Sequence, residues 1–354
     1  MITIEDIIGG IGGALNGINQ SVMALSFGFA MLPSVLAYIV GIIGCLVFKS
    51  AVPISFQAET IVMAGTMGKD KKERLSIVLY AGLVMTLIGA VGILDNVIAF
   101  AGIDITSAMM AGVGLVLCKI CFDMVKGSPV IGFLSVFSAI STYLLTMDVG
   151  YACIIPILVC AVAAKVMKKE EQTEFNTVDK FELHKPTFNL NILRGTLSLI
   201  CITIGGNIAT AGIASSMSGM ESNPNHISVY SGVADAISSL FGGAPISVVI
   251  SPSSAAPNPV ISGVILMSVM AILLASKQLP KVIKLIPTAS VAGVLFVLGG
   301  FLTLPPNLAA AYADGDASNT LACSVTLAVT AVFDPFVGMA AGIIVKGICS
   351  IIGI

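Results

Sequence analysis

The sequence predicts an all-α polytopic membrane protein of about fourteen segments, built as two inverted sets of seven, with broken helices or short strands in the third and tenth. Three observations predict it. Hydrophobic residues make up 56% of the 354-residue chain and charged residues only 10%, against about 25% charged in a soluble domain. Most of the chain therefore has lipid for solvent. Long unbroken apolar runs, such as 7–32 and 259–276, suit helices, which satisfy their own backbone and cross hydrocarbon in about 20 residues. Barrel strands would alternate polar and apolar instead. Third, Pro53-Ile54-Ser55 recurs as Pro245-Ile246-Ser247, 192 residues later. Soluble enzymes, nucleic-acid binders and secreted modules are excluded by the composition. A formal net charge of -2 argues for no polyanionic partner.

In chain order the spans fall near 7–30, 33–49, 52–67, 75–93, 97–117, 127–147 and 149–167. After a polar stretch come 192–215, 227–242, 244–258, 259–276, 281–303, 317–333 and 336–353. The first repeat is thus 1–167, a solvated hydrophilic linker covers 168–191, and the second repeat is 192–354. Glu5 and Asp6, with no basic region around them, argue against a cleavable leader. Segments 52–67, 227–242, 244–258 and 317–333 read as short or as interrupted by Pro and Ser. Seven is odd, so the second half sits upside down relative to the first. SAMMAGVGLVL (107–117) against ASVAGVLFVLG (289–299) is a further echo of the repeat. Broken segments that meet near the midplane present free N–H groups and positive dipole ends to a ligand. Irregular backbone is tolerable at that depth only beside a cavity or within protein.

Ser251 lies six residues after Pro245, and Glu59 lies six after Pro53. An ionisable group inside a span is a functional-site hypothesis by default, which makes Glu59 the expected proton-coupling residue. Ser55, Gln57 and Thr60 flank it. The plainer reading is a hydrated turn or a structural pairing. Asn16, Asn19 and Gln20 share one face of the first span, beside Gly12, Gly13 and Gly17; such amides bind ligand or join helices. Asn207 and Thr210 follow Gly205 and Gly206, and Ser247, Ser251, Ser253 and Ser254 make the tenth segment rich in hydroxyls. Asp235 either caps the short ninth segment or binds an ion. Asp95, Asp104, Asp148, Asp314 and Asp316 fall at span ends, where water solvates them. The expected substrate-binding set is Gln20, Ser55, Gln57, Glu59, Asn207, Ser247 and Ser251. A polar, weakly charged site suits a neutral planar solute, or an anion at paired helix N-termini.

The run GVADAISSLFGGAPISVVISPSSAAPNPVISGVILMSVMAILL (232–274) resembles the nucleobase–cation symporter-2 family, the xanthine/uracil and hypoxanthine/guanine permeases. TIGGNIATAGIASSM (203–217), LIPTASVAGVLFVLGGFL (285–302), AVFDPFVGMAAGIIV (331–345) and SAMMAGVGLVL (107–117) support the likeness. Sulfate permeases share that fold, and SLFGGAPIS (239–247) and residues 21–55 are equally similar to them. The resemblance implies a core domain moving against a gate domain, a homodimer, and a proton-coupled nucleobase permease as the leading function. A sulfate-permease-like anion transporter is the alternative, and a channel or scaffold comes third. The nucleobase permeases place a base-binding carboxylate after the Gly-Gly-x-Pro turn and another before a Thr-(Ile/Val)-Gly run. Here those places hold Ser251 and Ile202, so both acids are missing.

Eight cysteines are scattered, and Cys118 and Cys121 form one CxxC with no further ligands nearby; a zinc site needs about four. The glycines of 9–17 lack the strand and spacing of a dinucleotide fingerprint. No nucleophile–base arrangement or Walker sequence occurs. The expectation is a non-enzyme with no metal and no cofactor beyond a coupling H+ or Na+. Its partners are the lipid bilayer, a small solute and a second copy of itself, with no nucleic acid. Its place is the cell membrane as a multi-pass protein, in a prokaryotic plasma membrane. Loops 69–74, 118–126, 165–194 and 277–284 share one side and hold fifteen of the seventeen Lys and Arg, leaving Lys49 and Lys346 opposite. The positive-inside rule makes that side cytoplasmic, whereas the resemblance implies the reverse. The charge bias depends only on parity and is the stronger warrant. A tag at either terminus should therefore react with a membrane-impermeant reagent in intact cells; a tag protected until lysis would reverse the orientation.

Overall fold

Polar residues at the span ends set where the helices begin. In the computed structural model, which describes residues 2–147, 149–167, 180–278 and 287–352, α1 (Ile4–Ser26) opens on a reciprocal cap. Thr3 Oγ1 accepts from the Asp6 N–H at 3.1 Å, and Asp6 accepts from the Thr3 N–H at 2.8 Å. Next come α2 (Ser34–Phe48), strand β1 (Ile54–Ser55) and the half-length α3 (Ala58–Met67). Asp70 caps α4 (Lys71–Val91). The short α5 (Leu94–Ala101) ends at Gly102, whose φ of +87° turns the chain into α6 (Ile103–Gly127). α7 (Pro129–Thr146) and α8 (Val149–Val166) close the first half.

Asn189 caps α9 (Leu190–Ser218) and Asn223 caps α10 (Pro224–Leu240). Strand β2 (Ser247–Val248) leads into one 3-10 turn at Pro252–Ala255, then α11 (Pro259–Ala275). α12 (Thr288–Ala311) includes a π-wound stretch at Val297–Thr303. α13 (Ala317–Val332), capped by Asp316, and α14 (Pro335–Ile352) end the chain's described part. α4, α6, α7, α9, α12 and α14 are long and apolar enough to cross a membrane.

The helices form two groups, α1–α4 with α9–α11 and the strands, and α6–α8 with α12–α14. Interfaces recur when the halves are exchanged. α1 packs on α11 as α9 does on α4, α2 on α11 as α10 on α4, α6 on α13 as α12 on α7, and α1 on α8 as α9 on α14. α2–α10 and α6–α12 pair repeat-equivalent helices with each other. This pattern is that of an inverted repeat with core and gate groups. Glycine meets glycine in both groups: Gly82 against Gly232 in the core, Gly114 against Gly299 in the gate. A Cβ on any of the four would meet the opposing carbonyl, so the backbones touch directly.

Three expectations are corrected. Residues 118–126 form no loop: α6 runs to Gly127, and Ser128 alone separates it from α7. Nothing there breaks a helix, and Lys126 pairs with Asp123 at 3.0 Å on its exposed face. Segments 227–242 and 317–333 are short, at seventeen and sixteen helical residues, but not broken, because their hydroxyls return to carbonyls one turn back. Ser228 donates to Pro224 O, Ser239 to Asp235 O, Ser324 to Thr320 O and Thr326 to Ala322 O, all at 2.7–2.8 Å. The 168–191 linker lies outside the described residues as far as 179, and α9 begins at Leu190. Residues 180–189 are strapped to the core rather than free. His184 N–H donates to Leu240 O at 2.7 Å, and Phe181 packs edge-on against Phe241.

The buried His184 ring lies 3.0 Å from Ser76 Oγ. Ser76 gives its own proton to Lys72 O at 2.8 Å, so His184 Nε2–H is the donor to Ser76. Burial, then Lys72 and Lys71, holds its pKa below the usual 6.5. A second tie crosses the two groups. Asp334, between α13 and α14, accepts from Arg194 Nε, from Ser198 Oγ at 2.8 Å and from the Val337 N–H at 2.9 Å. Arg194→Gln leaves that buried carboxylate without its cation. Half-exposed as Arg194 is, a loss of about 2 kcal/mol is expected, seen as a lower Tm in detergent. The unfolded chain binds a proton at His184 before the folded one does. Its stabilising share is therefore whole above about pH 6.5 and drains away as the pH falls through the lowered pKa. Acidification should lower the Tm of wild type more than that of His184→Gln, and equal slopes would contradict this.

Candidate functional site

β1 and β2 pair antiparallel, with Ser55 opposite Ser247 and Ile54 opposite Val248. The Val249 N–H extends the pairing to Pro53 O at 3.1 Å. Ser247 also lies 192 residues after Ser55. Repeat-equivalent residues therefore face each other, and the pseudo-twofold axis passes between them. The chain leaves the strands in opposite directions, so α3 and the 3-10 turn both begin at the pair. Gln57, extended at φ -131° and ψ 131°, precedes α3 and gives it no side-chain cap. The first amides of α3 thus offer an anion-receptive end. Ser251 caps the 3-10 turn, accepting from the Ser253 N–H at 3.3 Å, and one turn carries little dipole.

Small residues bring α1 onto this pair. A Cβ at Gly13 would collide with Ser251 Oγ, and one at Gly17 with Ser55 Oγ. Gln20 follows one turn later on the same face. It is 4% exposed, its Nε2 donates to Asn16 Oδ1 at 3.4 Å, and its Oε1 has no partner among the described residues. Asn19's side chain lies outside the described part. Ser247, 2% exposed, and the fully buried Ser253 also have unpartnered hydroxyls. Ser55 Oγ is 3.1 Å from Tyr38 Oη.

Glu59 occupies the first turn of α3, and its Oε1 accepts from Thr303 Oγ1 at 3.3 Å. Thr303 belongs to the π-wound stretch of α12, so the core carboxylate meets the gate group at an irregular turn. Among the described residues Glu59 has no ion-pair partner. Glu59 and Gln57 are half-buried, whereas Ser55, Ser247 and Ser251 are buried. The accessible edge of the site therefore lies along α3.

Gln20, Ser55, Gln57, Glu59, Ser247 and Ser251 gather around the strand pair. Asn207, on α9, is fully buried: its Nδ2 donates to Ser228 Oγ of α10 at 2.8 Å, and its Oδ1 is unpartnered among the described residues. Thr60 Oγ1 returns to Gln57 O at 3.1 Å, within the first turn of α3. Asp235 caps no helix end. From mid-α10 its Oδ1 accepts from the Ile246 N–H at 2.7 Å, bracing the residue before β2. Ser34 Oγ accepts from the Ala244 N–H at 3.0 Å, and Gly242, at φ +94°, turns the chain so that its carbonyl takes the Ala30 N–H at 3.0 Å. The sequence reading missed Tyr38 and Thr303. Tyr38 had a signal, since Tyr230 stands 192 residues on; Thr303 had none beyond one hydroxyl in an apolar run.

No family model matches the chain, and no curated protein does. Solved structures do. The transmembrane domain of a cyanobacterium bicarbonate transporter, BicA, aligns over 96% of this chain and 98% of its own, with a TM-score of 0.67 at 16% identity. The murine Solute Carrier 26 family member A9 anion transporter, in the inward-facing state, aligns over 99% of this chain and 68% of its own, with a TM-score of 0.70 at 12% identity. A second SLC26A9 structure aligns over 99% and 65%, with a TM-score of 0.68 at 11% identity. The chain thus spans about two thirds of the length of the SLC26A9 proteins. At such identities the likeness establishes the fold, and with the six apolar spans it makes this chain a multi-pass membrane protein of that inverted-repeat architecture.

Proposed function

We propose that the chain is a secondary anion transporter working by alternating access, with the anion bound at the strand pair and the N-terminus of α3. The observation that carries this reading is the start of α3, which receives no side-chain cap from Gln57, beside the buried hydroxyl of Ser247, unpartnered among the described residues. Nine buried side-chain polar atoms lack a partner among the described residues, and the Ser247 hydroxyl is the one on the strand pair, where an anion would satisfy it. The aligned proteins, a bicarbonate transporter and an anion transporter by name, favour the anion alternative over the nucleobase reading. So do the two missing acids, since Ser251 caps a turn and Ile202 is buried in the core.

Glu59 is the coupling group in this reading. Two negative charges ~5 Å apart at an effective dielectric of ~20 repel by about 3 kcal/mol, more than a hundredfold in affinity. An anion at the end of α3 therefore binds far better when Glu59 is protonated, which makes anion and proton travel together. Thr303 supplies a hydroxyl that either protonation state can use.

In proteoliposomes, uptake of bicarbonate, sulfate or chloride should follow an inward proton gradient, and uracil and xanthine should not compete. Glu59→Gln should abolish gradient-driven accumulation while leaving anion exchange. Concentrative uptake unchanged in that variant would overturn the coupling role, and purine or pyrimidine flux without anion flux would overturn the anion reading.

A further inference from the structure

We propose that the cleft between the α3–α4 loop and the start of α9 binds the phosphate of an acidic phospholipid. The cleft, about 480 Å³, is lined by Lys69, Asn189, Leu190, Asn191 and Arg194. It lies apart from the strand pair and does not depend on the anion reading. α4 and α9 are both long enough to span, and both start beside it, so it opens where lipid headgroups lie.

Two cations line the cleft and no carboxylate does. Lys69 is exposed and has no ion-pair partner among the described residues. Arg194 spends its Nε on Asp334, which leaves the N–H groups of both Nη atoms without an acceptor among the described residues. The neighbouring acids are already engaged. Glu73 Oε1 accepts from Asn189 Nδ2 at 2.8 Å, and its Oε2 accepts from Asn191 Nδ2 at 3.0 Å and from the Lys69 N–H at 2.9 Å. Asn191 Nδ2 also donates to Met67 O at 2.8 Å. Asp70 caps α4, accepting from the Glu73 N–H at 2.8 Å. These bonds stiffen the wall and leave the cationic groups as its unsatisfied part.

The other wall is apolar. Leu190 is 81% exposed and Phe188 is 68% exposed, its ring edge-on to Tyr80. Tyr80 stands nine residues into α4, about 14 Å along the helix, so this wall descends from headgroup depth into hydrocarbon. A free inorganic anion has no use for such a surface. A phospholipid fits both parts, its phosphate on Lys69 and Arg194 and an acyl chain along Leu190 and Phe188. Lys71, Lys72, Lys180 and Lys185 lie on the same side of the protein, and basic groups near an acidic leaflet add to the attraction. The bound phosphate shares a guanidinium with Asp334, so the lipid joins the tie between core and gate.

Native mass spectrometry of the purified protein in detergent, titrated with phosphatidylglycerol or with phosphatidylcholine of the same chains, tests this, with thermal shift in the same mixtures. Wild type should hold phosphatidylglycerol about 25-fold more tightly, about fivefold for each cation, and only that lipid should raise its Tm. Lys69→Gln should lose about fivefold of the preference and keep the wild-type Tm in phosphatidylcholine. Arg194→Lys leaves a cation for Asp334, removes the free fork and should lose as much. The double variant should hold the two lipids equally, and Lys126→Gln, on the exposed face of α6, should change nothing. Equal retention of both lipids by wild type, or an undiminished preference in Lys69→Gln, would overturn the proposal. So would inorganic phosphate raising the Tm as much as phosphatidylglycerol does, which would assign the cleft to a free anion.

Discussion

Nothing in hydrocarbon solvates a bare peptide group, and this chain interrupts two helices at mid-depth. The rest of the core answers that constraint. β1 and β2 satisfy each other, and the groups just outside them are met by side chains from distant helices. Asp235 takes the Ile246 N–H, Ser34 the Ala244 N–H, and Tyr230 gives its proton to Val52 O. α1 reaches the strands only because Gly13 and Gly17 leave no Cβ in the way. What looks like a binding site is, energetically, the residue of this repair: the polar atoms of Ser247, Ser253 and Gln20 that no group among the described residues satisfies.

The repeat was legible because identity of position survives where identity of residue does not. One tripeptide and an odd number of spans predicted the inversion, and the 192-residue offset reappears as the register of Ser55 on Ser247. Glu59 was legible for the simplest reason, a carboxylate in an apolar run. The misreadings share a cause. Serine and threonine in 227–242 and 317–333 look like helix breakers until their hydroxyls are seen bonded to their own backbone. Asp235 was ambiguous because its partner is eleven residues away across a glycine turn. Asn207, placed by its glycine neighbours and by the resemblance, has one amide group tied to Ser228 of α10, a bond the sequence could not show.

The halves share geometry and differ in chemistry. α3 is a helix of ten residues with an uncapped start, whereas its counterpart is a four-residue turn capped by Ser251. Glu59 has no equivalent at the 3-10 turn, where Ser251 takes that place, and the second repeat's buried acid, Asp235, braces Ile246 instead. In the reading proposed above, electrostatic control is thus concentrated on one side of a nearly symmetric frame, along the edge where α3 meets the π-wound turn of α12.

The axis between Ser55 and Ser247 runs in the plane of the bilayer, and any point on it is equally far from the two aqueous phases. A rigid tilt of the core about that line thins the barrier toward one phase by as much as it thickens the barrier toward the other. In the transporter reading proposed above, opening outward and closing inward are then one rotation, and no second door needs to be kept in time with the first.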